Sequence, residues 1–251
     1  MKYYYESLKN KTLSIENMDE VVNYPLTNIK DVNKNTYFKS DDVSGQGIIK
    51  IDMGSVEKSR DYIALIGFNM VGTNLKYKLT YSEDLTTYYD VFAWQNVTSS
   101  TIPTITVKTF SAVNWRYFKL NFSGNVGAKL SIGTILFGKE LNLSHNPEMD
   151  ISWGNEFMVG VYETPNGIRY GYSENETRRK MWELSYRYLN STDKTNLEAM
   201  IDEIIAGEFS KFPFLFYDDT TYQWVRLRGG INFKTSAYQS YDTELILEEE
   251  F

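Results

Sequence analysis

The stretch RRKMWELSYRYLNSTDKTNLEAMIDEIIAGEFSKFPFLFYDD (residues 178–219) changes its hydrophobic period twice, and those changes decide the fold. Trp182, Leu184, Tyr186 and Tyr188 alternate with Glu183, Ser185 and Arg187, the two-residue period of a strand with one packed and one wet face. Leu197, Met200, Ile201, Ile204 and Ile205 then follow the spacing of an apolar stripe on a helix lying against a sheet. Ser191, Thr192 or Thr195 can cap its start, the last with Glu198 as a capping box, and Gly207 stands where a left-handed residue closes a helix. The helix is therefore expected near residues 193–206. Phe212, Phe214 and Phe216 resume a strand, which Pro213 places at a sheet edge or at the strand's first residues. The unit reads as one helix clamped on an antiparallel sheet.

Composition extends this reading to the whole chain of 251 residues, long enough for one large or two ordinary domains. Aromatic content is 16%, with 20 Tyr and 14 Phe against 5 Pro, which favours β-structure. A net charge of -7 argues against direct nucleic-acid binding, which rests on basic surface neutralising phosphates. Without cysteine there is no disulfide, thiolate metal site or thiol nucleophile. The start, MKYYYESLKNK, lacks the apolar core of a signal peptide, and no apolar run approaches the length of a membrane span.

Up to about residue 140, short strand-like runs alternate with Gly, Asn, Asp and Ser at the spacing of a sandwich. Strands are expected at 47–53, 62–69, 75–81, 105–110, 115–122 and 129–137. Residues 139–156, KELNLSHNPEMDISWGNE, break the periodicity and mark a boundary between domains 1–140 and 141–251. A hairpin follows at 157–172 around Asn166-Gly167, and 222–228 and 243–248 supply further strands.

The order NYPLTNIKD, TYFKS, IKIDMGS, DYIALIGFN, LKYKLTYSED, NWRYFKLNF and SIGTILFG resembles the discoidin-like, galactose-binding jelly-roll domain over residues 15–138. Ile51 to Gly54, Phe68-Asn69 and the run from Arg116 to Leu120 stand where that family has its strand endings. The phrases YGYSENETRRKMWELSYRYLN, FPFLFYDDTTYQWVRLRG and FKTSAYQSYDTELILEE resemble tail-tube, distal-tail and baseplate proteins of tailed bacteriophages over most of 150–251. The joint implication is a mainly β protein: an N-terminal jelly-roll β-sandwich and a C-terminal antiparallel sandwich or barrel with one flanking helix. The second resemblance implies a virion component of the tail, tail tip or baseplate, assembled in the host bacterial cytoplasm. Its partners would be copies of itself in a ring (a hexamer or similar) and other phage tail proteins. A carbohydrate-binding adhesion module is the alternative.

Catalytic signatures are thin, so no catalytic, cofactor or metal residue is assigned and a non-enzymatic protein is expected. His145, the only histidine, lies in the Asn-rich join, and no nucleophile elbow or phosphate loop occurs. Ser44 to Gly47 reads as a turn, and Asp41-Asp42 and Asp218-Asp219 read as solvated turns before they read as calcium ligands. Trp94, with Tyr88 and Tyr89, is the candidate glycan contact, since pyranose faces stack on exposed rings; core packing is the competing use of these rings. Arg178, Arg179, Tyr186, Trp224, Arg226 and Arg228 are the candidate interface, the arginines either facing Glu248 to Glu250 of a neighbouring copy or simply solvated.

Overall fold

The computed structural model describes residues 1–30, 36–41, 46–55, 59–68, 76–96, 105–124, 129–163, 169–205 and 213–250, with the side chains of 152–179 outside that description. In chain order the strands are β1 (Lys2–Tyr4), β2 (Thr12–Glu16), β3 (Phe38–Lys39), β4 (Gly47–Asp52), β5 (Arg60–Ile66) and β6 (Lys76–Ser82). There follow β7 (Tyr89–Asn96), β8 (Ile105–Val113), β9 (Tyr117–Ser123), β10 (Ser131–Ile132), β11 (Thr134–Gly138) and β12 (Leu141–Asn142). The last third holds β13 (Glu148–Glu163), β14 (Arg169–Leu189), α1 (Ser191–Ile205), β15 (Phe214–Tyr217), β16 (Tyr222–Arg228), β17 (Lys234–Ala237) and β18 (Ser240–Glu249).

Two antiparallel sheets form the jelly-roll sandwich, one ordered β2-β4-β9-β6-β7 and one ordered β11-β5-β8. Alternation sends Ile49, Ile51, Leu79, Phe118, Leu120 and Phe122 from the first into a shared core with Ile63, Leu65, Ile135 and Phe137 from the second. The third sheet has eight strands in the order β12-β1-β15-β16-β18-β14-β13, with β17 on β18. One of its faces packs Tyr3, Trp182, Leu184, Phe214, Phe216 and Leu247 in a core with Leu197, Met200 and Ile204 of α1. The fold is mainly β, as the composition and strand spacing led one to expect.

The middle sheet is buried on both sides. Ile63 and Leu65 point into the jelly roll, whereas Tyr62, Ala64 and Ile66 meet Tyr4, Leu215 and Trp224 of the eight-stranded sheet. A strand covered on both faces reads as a continuous apolar run, which accounts for YIALI in β5. The molecule is thus layered as five strands, three strands, eight strands and helix. Chain order does not respect the layers: β1, near the start of the chain, lies between β12 and β15. Its neighbours Tyr3 and Tyr4 point into two different cores.

Several local expectations are corrected. The helix begins at Ser191, ahead of the expected 193, and its cap is Asn190, whose Oδ1 accepts from the Asp193 amide at 2.8 Å; Thr195 turns back to the Ser191 carbonyl and Glu198 to Lys194. Ile205 is 40% exposed and Ile201 is half-buried, so the packed stripe narrows to Leu197, Met200 and Ile204. Tyr188 leaves the strand's alternation because its φ is 61° and the β14–β18 register shifts between Tyr186 and Leu189. The aperiodic join 139–156 supplies β12 and the first part of β13, the strands at the two ends of the sheet order. Gly207, Phe212 and the Asn166-Gly167 turn lie outside the described residues.

Candidate functional site

On each strand of the five-stranded sheet, the residues between the core positions point away from the sandwich. Glu16, Ile48, Asn121 and Lys78 stand side by side in one row across β2, β4, β9 and β6. Ser14, Lys50, Lys119, Thr80 and Asp90 form the next row, which continues onto β7. The alternation FKL in β9 and YKL in β6 builds this face, since each lysine lies between two residues that fill the core.

Strand β7 is the edge of this sheet, and its pairing with β6 slips between Tyr77 and Leu79. There two steps on β6 correspond to three on β7, a bulge that reverses which side of the sheet a residue faces. Phe92 therefore enters the core while Trp94, two residues on, lies on the outer face with the Lys78 ammonium 5.4 Å from its ring. Trp94 is 38% exposed. Tyr88, just before the strand, lies on the same face beneath Lys119, whose ammonium is 4.0 Å from the ring centroid. Burial pushes the Tyr88 hydroxyl above its ordinary value against the pull of Lys50.

Carboxylates tie the cations down. Lys78 reaches Asp90 at 3.0 Å, and Glu16 takes Lys50 at 2.7 Å and Lys119 at 3.5 Å. The bond from Lys50 holds Glu16 below the usual carboxylate range. In the loop leading into Tyr88, Asp84 is held well below its ordinary value by the Thr86 hydroxyl and by the amides of Thr87 and Thr86. That loop is braced by its own polar groups and presents Tyr88 from a fixed base.

Tyr89 does not join the pair. Its ring lies 5.6 Å from Tyr81, which stacks on Trp115 at 5.2 Å and 6°, so it belongs to a row on the core side of the sheet edge. The structure thus brings Tyr88 and Trp94 to one face and sends Tyr89, 54% exposed, to the other. Lys50, Lys78, Lys119, Glu16 and Asp90 complete the face and were not singled out from sequence. The signal available was the lysine between two core residues in both YKL and FKL.

No protein-family model and no curated protein matches the chain. Solved structures do. CBM32-1 from a family 31 glycoside hydrolase of Clostridium perfringens is 20% identical with a TM-score of 0.43, covering 54% of this chain and 99% of its own. A pectin-binding carbohydrate-binding module is 21% identical with a TM-score of 0.43, covering 50% and 88%. A second C. perfringens module, CpGH89CBM32-5 in complex with GalNAc-β-1,3-galactose, is 16% identical with a TM-score of 0.43, covering 53% and 99%. At these values the likeness transfers no ligand and no residue role.

The expectation of a ring-forming virion component of the tail, tail tip or baseplate is overturned by this comparison. The three structures named above are carbohydrate-binding modules and others that match are fucosidases, and the ring and the phage partners are set aside. The candidate interface is also dispersed by the fold. Tyr186 is 2% exposed and its hydroxyl meets that of Tyr3 inside the helix-side core, because it is in phase with Trp182 and Leu184. Trp224 is 3% exposed and fills the seam against the three-stranded sheet. Arg226 donates to Glu250 of its own chain at 3.0 Å, and Arg228 is exposed with Nη1 3.6 Å from the Met181 sulfur. Arg178 and Arg179 pair through their backbones with Asn155 and Gly154, and their side chains lie outside the described residues.

The bland readings of the other polar motifs fit the geometry. His145 is exposed and its Nδ1 lies 2.9 Å from the Ser144 hydroxyl. Asp218 accepts from the Thr220 and Thr221 amides at 3.0 and 2.8 Å, an Asx turn. Among the described residues no group of three or more His, Cys, Asp or Glu is placed to hold a metal, and no helix is long and apolar enough to cross a membrane.

Proposed function

We propose that this protein is a carbohydrate-binding module that adheres to a glycan through the outer face of its five-stranded sheet and performs no chemistry on it. The observation that carries this reading is the placement of Tyr88 and Trp94. Two aromatic rings are held on the solvent side of one sheet, each beside a lysine that is itself anchored by a carboxylate. A sugar ring has an apolar face of C–H groups and a polar rim. Flat aromatic surface with charged hydrogen-bonding groups beside it complements both.

Two clefts among the described residues, about 620 Å³ beside β2 and about 440 Å³ among β14, β16, β17 and β18, contain neither ring, although Ser14 of the face lines the first.

A glycan array probed with the full chain tests this reading, with neutral galactans, N-acetylated disaccharides and acidic polysaccharides on the panel. Binding to one glycan class that is lost in Trp94→Ala is expected. Binding that persists unchanged in Trp94→Ala would put any glycan site elsewhere, and absence of binding across the panel would remove the function.

A further inference from the structure

We infer that the glycan taken by this face is acidic, carrying carboxylate or sulfate groups; the inference rests on the glycan-binding reading and narrows its substrate class. The chain as a whole carries a net charge of -7, yet the strands of this face are basic. Among the described residues they present Lys50, Lys76, Lys78 and Lys119 against Glu16, Asp90 and Asp52, and Asp52 is engaged by Arg116 through two bonds of 2.8 and 2.9 Å. Lys50 and Lys119 stand directly opposite each other on β4 and β9. Like charges in that register oppose sheet pairing, and a single carboxylate, Glu16, serves both. A second anion near the pair would be favoured.

The position of the lysines over the rings strengthens the argument. A sugar that stacks on Trp94 must move the Lys78 ammonium off the ring, and one that stacks on Tyr88 must move Lys119. With a neutral sugar each displaced ammonium loses its ring and gains only a hydroxyl. With an acidic sugar it gains a charge-assisted hydrogen bond, roughly twice as strong as a neutral one, so the exchange favours the charged ligand. The same lysines thus discourage neutral sugars and reward anionic ones. Carboxylate and sulfate share this chemistry.

The test titrates the full chain with polygalacturonate, fully methyl-esterified polygalacturonate, a sulfated galactan and its desulfated form. Affinity for at least one charged polymer should exceed that for its uncharged counterpart by about tenfold or more, a difference of about 1.4 kcal/mol, and should fall as salt rises. Lys78→Gln and Lys119→Gln should each narrow that gap while the protein stays folded. The charged partner that shows the gap identifies carboxylate or sulfate as the source. Equal affinity for charged and uncharged forms, or binding confined to neutral glycans, overturns the inference and leaves the glycan-binding reading standing. Failure of every glycan to bind removes both.

Discussion

Tyr4 and Tyr62 meet edge to face across the seam between the eight-stranded and three-stranded sheets, their ring centroids 4.8 Å apart and inclined at 78°. The Tyr62 hydroxyl accepts from the Glu6 amide at 3.1 Å, and the Tyr4 hydroxyl donates to Glu140 at 3.2 Å. At the rim, Glu140 also receives Lys2 at 2.9 Å and its amide donates to Asp61 at 2.8 Å. The eight-stranded and three-stranded sheets are joined by a buried, hydrogen-bonded seam.

Such a seam couples the unfolding of both sheets. Trp224→Ala would leave a large void at its centre and should reduce stability by about 3–5 kcal/mol. Denaturant unfolding followed by near-ultraviolet dichroism and by helix signal should give coincident transitions in the unmodified protein. Separate transitions would show that the seam does not couple the sheets.

The helix phase is checked by a pair of substitutions. Ile204 is 1% exposed and Ile205 is 40% exposed. Ile204→Asp should destabilise by about 3–5 kcal/mol, since an unpaired charge would be buried, whereas Ile205→Asp should stay within about 0.5 kcal/mol. Equal shifts in the denaturation midpoint would place the packed stripe elsewhere.

How much of this could be read from sequence depends on whether the burying partner is local. Leu197, Met200 and Ile204 announce themselves because a helix repeats every 3.6 residues and its own stripe selects its packed face. Strands β4, β6 and β9 were legible for the same reason at a period of two, and β5 as a continuous apolar run. Trp224 was not, because its burial is caused by Tyr62 and Ala64, more than a hundred and fifty residues earlier in the chain. Trp94 was singled out as a ring, but its face follows from a bulge that only the pairing of β7 with β6 creates. Without that bulge Trp94 would share the core side with Phe92. The lysines of the candidate face were hidden differently: as isolated residues they look like any solvated side chain, and only the register of three strands assembles them.

Alkali should unfold the protein above the ordinary tyrosine range. Burial pushes Tyr5 up to about 12 and raises Tyr3, Tyr4, Tyr62 and Tyr186 well above their usual value. A folded-state value above the unfolded one of about 10 means that the stabilisation is complete below pH ~10 and is lost as pH rises through the folded value. Tyrosinate absorbance followed alongside a folding signal should show a late group ionising together with unfolding. Ionisation of all tyrosines near pH ~10 with the fold intact would contradict this packing.

Acid sensitivity is expected to be milder. The guanidinium of Arg116 holds Asp52 below the usual carboxylate range, so the pair's contribution is present above pH ~4 and is lost as pH falls through the depressed value. The Arg116 side chain is 43% exposed, so solvent screening keeps the effect small. Asp52→Asn should lower stability slightly at neutral pH and leave it nearly unchanged in acid, compared by melting temperature at both. A larger loss in acid than at neutral pH would reverse the expected sign.

The central claim, that Tyr88 and Trp94 form a glycan-binding face, is tested most directly by calorimetric titration of the preferred glycan from the array into the unmodified protein and Trp94→Ala. Because Trp94 is partly exposed and outside the core, the variant should keep its melting temperature while its affinity falls about tenfold or more. Unchanged affinity in a folded Trp94→Ala protein would contradict the claim.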